Sequence, residues 1–118
     1  MELDQKKLTE VIHLAEDKKG GDITLLDLKG ISMVTDYCLI VTGNTSIQVK
    51  AITNHLEEEL PEIGIPVLHV EGLPDAKWVL MDCSGDLVIH VMTPDQREFY
   101  QLERLWKDAQ VVSCATFV

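Results

Sequence analysis

An α/β sandwich, built from a mixed β-sheet with helices packed on at least one face, is the fold class that these 118 residues predict. Three observations predict it. Segments of helical spacing and short β-favouring runs follow one another in the order helix, strand, strand, helix, strand, strand, strand, helix. Two capping boxes, Thr45-Ser46-Ile47-Gln48 and Thr93-Pro94-Asp95-Gln96, each follow a strand and open a helix. Between them, WVLMDC and DLVIHVM flank Ser84-Gly85, whose glycine permits the positive φ of a tight hairpin. The length suits one domain, 1–118, with residues 110–118 left as an unassigned tail, and is enough to bury roughly two-thirds of the unfolded surface.

Each element has its own justification. From Leu3 to Lys19 the residues Leu8, Val11, Ile12 and Ala15 recur at helical spacing among charges, and Gly20-Gly21 stops the pattern. ITLLDL at 23–28 and DYCLIVTG at 36–43 are β-favouring runs separated by a segment containing Gly30. After the first capping box, Val49, Ile52, Leu56 and Leu60 form a stripe that Pro61 and Gly64 end. PVLHVEG at 66–72 is a strand bounded by Pro and Gly, and strands at 78–83 and 86–92 form the hairpin. In the last helix Pro94 takes the first position, and Phe99, Leu102, Leu105, Trp106 and Ala109 fall within an arc of about 120°. That arc predicts a core stripe including Phe99 and Trp106. Tyr100 lies outside it, beside Gln96, Glu103 and Lys107, and so faces outward or into a seam.

Alternation places Trp78, Leu80 and Asp82 on one face of their strand and Val88, His90 and Met92 on one face of the next. Whether the two sets share a face depends on the hairpin register, which the sequence leaves open.

The formal charge is −10, and residues 57–118 hold twelve Asp or Glu against four Lys or Arg. Phosphate backbones repel such a surface, because nucleic-acid affinity comes largely from Lys and Arg. A cationic protein is the better partner, and little direct nucleic-acid contact is expected. Three cysteines, Cys38, Cys83 and Cys114, are an odd count with no CxxC pair and suit a reducing compartment. The N-terminal residues lack the basic start and apolar run of a secretion signal, and no stretch approaches membrane-spanning length. The expected localisation is cytoplasmic, with no membrane partner.

Catalytic signals are weak. Asp82, Asp86 and His90 could be drawn together as an acid–base set, but Asp86 beside Ser84-Gly85 is ordinary turn chemistry and a His in a half-apolar strand is more often structural. Gly43-Asn44-Thr45-Ser46 between strand and helix could offer amides to phosphate, yet it lacks both a Gly-Lys-Thr/Ser ending and GxGxxG. The four His and three Cys show no metal-ligand spacing. No catalytic residue, metal or cofactor is therefore expected. Trp78 and Tyr100 are the interface candidates, since aromatics with a polar end dominate protein-binding hot spots.

The blocks DYCLIVTGNTSIQVKAITNHLEEEL, VEGLPDAKWVLMDC, DLVIHVM and REFYQLERLW, in this order and spacing, resemble the ribosomal silencing factor family, also called RsfS or Iojap, over roughly residues 5–108. One departure is visible at Asp82-Cys83-Ser84-Gly85-Asp86, where the family usually has one residue fewer. The resemblance implies a nucleotidyltransferase-like fold without that enzyme's catalytic Gly-Ser and Asp-x-Asp motifs, and so no enzyme. It implies binding to the fourteenth protein of the large ribosomal subunit, on the face that meets the small subunit, and translation repression by steric block of subunit joining. Carried onto this chain, the partner-binding residues are Trp78, Leu80, Asp82, His90, Met92, Arg97, Tyr100 and Glu103. Asp82 and Glu103 would pair with Lys or Arg, while Trp78, Leu80, Met92 and Tyr100 supply desolvated contact. Two other readings remain: a nucleotide-binding transferase using the Gly43–Ser46 turn, and a homodimerising adaptor.

Overall fold

Helix α1 spans Gln5–Asp17 and buries Leu8, Val11, Ile12 and Ala15, the four residues whose spacing predicts it. The computed structural model describes residues 5–29, 35–83, 87–100 and 110–112. At the end of α1 the left-handed residue is Lys19 (φ 64), and its neighbour Gly20 is needed for space: a Cβ there would lie 2.6 Å from both the Ala15 carbonyl oxygen and a Val41 methyl. The chain then enters β1 (Gly21–Asp27), β2 (Tyr37–Thr42) and α2 (Ser46–Glu59).

The first capping box forms as its residue types predict. Gln48 N donates to Thr45 Oγ1 at 3.1 Å, and Gln48 Oε1 accepts from Asn44 N at 2.7 Å. The same Gln48 amide donates to the Lys18 and Lys19 carbonyls, tying the start of α2 to the end of α1. Val49, Ile52, Leu56 and Leu60 are all fully buried, so the stripe faces the core as expected. A 3-10 turn at Pro61–Ile63 ends the helix, and Gly64 follows in the left-handed conformation.

Three strands follow: β3 (Val67–Glu71), β4 (Trp78–Cys83) and β5 (Leu87–Met92). They lead into α3 (Pro94–Tyr100), which Pro94 opens, with the Thr93 carbonyl accepting from Arg97 N at 3.0 Å. A short β6 (Gln110–Val112) pairs antiparallel with β1, giving a strand to the start of the segment that the sequence leaves unassigned.

The sheet order is β3-β4-β5-β2-β1-β6, with β2 and β5 parallel and the other pairs antiparallel. All six residues of β2 are buried, as a strand covered on both faces requires. The mixed sheet packed with helices is thus the expected fold class. On one face, α1 and α2 close the main core over Leu25, Leu39, Val41, Val79, Met81, Ile89 and Val91. On the opposite face a smaller cluster joins Leu26, Leu28, Cys38, Ile40 and Met92, with Trp78 packed against it.

Arg97 of α3 crosses this second face. Its guanidinium donates to Thr42 Oγ1 at 2.8 Å, to Thr24 Oγ1 at 2.9 Å and to the Asp22 carbonyl. One side chain therefore clamps α3 across β1 and β2. Phe99 departs from the expected core stripe: it is 79% exposed. Leu102, Leu105, Trp106 and Ala109, the rest of that stripe, lie outside the described residues.

Candidate functional site

The hairpin register settles which side chains share a face. Trp78 pairs with Met92, Leu80 with His90 and Asp82 with Val88. Both alternating sets therefore project from the same side, and the departure at residues 82–86 leaves the ladder between β4 and β5 unbroken from Trp78 to Cys83. On the flanks, His69 of β3 pairs with Asp82 and Glu71 with Leu80, while Ile40 of β2 pairs with His90. This is the side that α3 crosses at its β1–β2 end and leaves partly open at its β3–β4 end.

A row of rings runs along it. Trp78 lies with its ring centroid 5.9 Å from that of His90 and 4.6 Å from that of Tyr100. Tyr100 in turn meets Phe99 edge-on at 5.0 Å. Offset and edge-to-face pairs at these separations attract through the ring quadrupoles. The row also grades in exposure, from His90, half-buried between Ile40 and Leu80, to Tyr100 and Phe99 at the surface.

His90 is held by a specific bond, with Trp78 Nε1–H donating to His90 Nδ1 at 3.0 Å. An accepting Nδ1 places the ring proton on Nε2. Burial lowers the His90 pKa to about 4, so near neutral pH the imidazole is uncharged and its Nδ1 lone pair is available. Beside Trp78 and Leu80, Glu71 and Gly72 complete a shallow groove of about 390 Å³. Asp82 and Glu71 are exposed, which gives the groove an acidic margin.

Of the eight partner-binding residues expected from the sequence, the fold brings Trp78, Leu80, Asp82, His90 and Tyr100 together on this face. Met92 shares the face but has no exposed surface: it lies beneath Trp78 in the smaller cluster and shapes the site from below. That corrects its expected role as a contact. Arg97 is half-buried on the same side, with its guanidinium turned onto β1 and β2, where it holds α3. Glu103 lies outside the described residues.

Phe99, His69, Glu71 and Leu68 are exposed on or beside this face as well, and the sequence pattern does not group them with it. Phe99 differs from the wheel's expectation because the wheel assumes that the helix packs by one stripe along its whole length. Leu68, 66% exposed, sits where the β3–β4 register shifts between Val67 and His69, and such a bulge breaks the alternation on which face assignment relies. For His69 and Glu71 the signal was present in the alternation of VLHVE, but only the register with β4 connects them to this face.

A second hollow, of about 310 Å³, lies at the carboxyl ends of the parallel strands β2 and β5. Asn44, Thr45, Ser46, Lys77, Thr93, Pro94, Asp95 and Gln96 line it. Elsewhere, burial first and the Asp82 charge second push the Cys83 thiol up to about 12, leaving almost no thiolate for nucleophilic attack. Among the described residues, no three His, Cys, Asp or Glu side chains are grouped to hold a metal, and no helix is long and apolar enough to cross a membrane.

Fold and face together describe an α/β domain that covers one side of its sheet with helices and lines the open part of the other with aromatic rings. The comparisons with known proteins place it more closely. Residues 2–117 match the family model described as "Ribosomal silencing factor during starvation". The chain is 44% identical over 108 residues to the ribosomal silencing factor RsfS of Bacillus subtilis, covering 91% of each protein. Among solved structures, it is similar to a Chromobacterium violaceum protein with a TM-score of 0.82 and 35% identity, covering 89% of this chain and 88% of that one. A Bacillus halodurans structure matches with a TM-score of 0.80 and 39% identity, over 93% of this chain and 99% of that one. The chain belongs to the ribosomal silencing factor family, whose members are regulatory proteins of the ribosome.

Proposed function

We propose that this protein docks on the large ribosomal subunit in the cytoplasm and represses translation by standing where the small subunit must join. The contact is with a basic ribosomal protein, the fourteenth of the large subunit. The observation that carries the reading is the face on which Trp78, Leu80 and Tyr100 are presented beside the carboxylates of Asp82 and Glu71. Partly exposed aromatics supply the desolvated centre of an interface, and acidic groups at its rim suit Lys and Arg of a partner. Family membership supplies the setting, and the excess of acids in residues 57–118 favours a cationic protein over ribosomal RNA. No bond is made or broken, so occupancy alone governs the effect.

Sedimentation of purified subunits with the protein tests this. Wild type should travel with the large subunit and reduce formation of the joined ribosome, and Tyr100→Ala and Asp82→Asn should do both less well. Unchanged subunit joining in the presence of saturating protein would reject the proposal. The hollow between the ends of β2 and β5 favours a nucleotide-binding transferase instead. That reading requires nucleotide with magnesium to raise the melting temperature, since a ligand bound to the native state must stabilise it.

A further inference from the structure

The face depends on how one ring is turned. Trp78 opens β4 at the boundary between the smaller cluster and solvent, so its backbone position alone leaves the side-chain torsions free to place the indole over the cluster or away from it. Three features restrict it: packing on Met92's cluster, the Tyr100 ring at 4.6 Å, and the bond from Nε1–H to His90 Nδ1. Apolar packing and ring–ring contact depend only weakly on rotation in the ring plane. Only the third is directional, because it needs a nitrogen lone pair in line with one N–H.

From this geometry we infer that His90 is a positioning residue for the docking face: its Nδ1 lone pair sets the rotation of the Trp78 indole, and Trp78 in turn seats Tyr100, so the rings meet a partner already arranged. This inference rests on the docking reading above and assigns His90 a role different from that of a direct contact. His90 is suited to it. Pairing with Ile40 on one side and Leu80 on the other keeps the imidazole neutral, and a neutral ring retains the acceptor that an imidazolium lacks. An interface whose anchor is ordered beforehand avoids the entropy of ordering it on binding.

The test compares binding of the full chain to purified large ribosomal subunits among wild type, His90→Leu, His90→Asn, Trp78→Phe, Trp78→Phe with His90→Leu, and Trp78→Ala. Asn offers its Oδ1 near the place of Nδ1, whereas Leu fills the space without an acceptor. His90→Leu should bind roughly three- to tenfold more weakly. His90→Asn should bind close to wild type. In a Trp78→Phe background, which keeps a ring but removes the donor, His90→Leu should add almost nothing, since a residue acting through a missing bond has no further effect. In NMR spectra the Trp78 indole N–H signal, identified by its loss in Trp78→Phe, should exchange slowly with water in wild type and His90→Asn and quickly in His90→Leu. Equal weakening by His90→Leu in both backgrounds, or wild-type affinity of His90→Leu, overturns the inference while leaving the docking face in place. Wild-type affinity of Trp78→Ala removes the face itself, and the inference with it.

Discussion

Thr53 lies on the buried side of α2, and its Oγ1 has no hydrogen-bond partner among the described residues. A desolvated hydroxyl left unpaired costs on the order of 1–3 kcal/mol, a cost that a methyl group of the same size avoids. Thr53→Val is expected to stabilise the protein by about 1 kcal/mol, seen as a rise of roughly 3–5 °C in Tm by calorimetry. A lower Tm would show that the hydroxyl is satisfied in solution. His90 carries the corresponding prediction for pH. Its pKa falls from 6.5 to about 4 on folding because burial disfavours the imidazolium. Between those values the unfolded chain binds a proton that the folded chain does not. The stabilisation is therefore complete above the unfolded pKa and is lost as pH drops towards the folded one, by on the order of 3 kcal/mol in all. Carboxylates titrate in the same window, so the measurement is a difference in urea unfolding between wild type and His90→Asn at about pH 7 and about pH 4.5. Wild type should lose more stability than the variant on acidification. Chemically, the hydrophobic flanks of His90 were visible in DLVIHVM, but its bond to Trp78, twelve residues away, was not.

At the scale of elements, the connection from β3 to β4 determines how Trp78 is delivered. Gly72 has φ +89, and a Cβ there would stand 2.2 Å from the Trp78 carbonyl oxygen. Gly72→Ala must therefore shift the start of β4 as well as strain the loop. A destabilisation of about 2–3 kcal/mol in urea unfolding is expected, together with weaker ribosome binding in the remaining folded protein. A variant as stable as wild type would show that the loop gives way without moving the strand. The helices α1 and α2 were legible because their stripes, capping residues and stops are local in sequence: the capping bonds of Thr45 and Gln48 reach groups within a few residues, whereas the Gln48 bonds to Lys18 and Lys19 were not legible. Strand β6 was not legible, since three residues gain their pairing only from β1, far away in the chain. Phe99 shows the same limit from the other direction. Its position on a helical wheel is local information, whereas its exposure depends on where α3 lies, and Arg97 places that helix through bonds to Thr24 and Thr42.

For the whole molecule, the charge of −10 makes a prediction about encounter with a cationic partner. Raising monovalent salt from about 50 to about 300 mM should slow association with the isolated basic ribosomal protein several-fold in stopped-flow mixing, with a smaller effect on dissociation, because screening acts on long-range attraction more than on desolvated contacts. An association rate indifferent to salt would remove charge from the account of partner choice. The resemblance of several ordered blocks made the family legible before any coordinates, and composition made the acidic character so. The site was half legible: alternation grouped Trp78 with Leu80 and Asp82, and His90 with Met92, without deciding whether the groups met. What the amino-acid order determined alone was every feature that neighbouring residues enforce on one another: where helices begin and stop, which runs extend, and the overall sign of the charge. Tertiary structure decided the strand register, the burial of Met92, the inward turn of Arg97 and the row of rings from His90 to Phe99. Each of these depends on contacts between segments distant in the chain, whose energies exist only once the sheet has assembled.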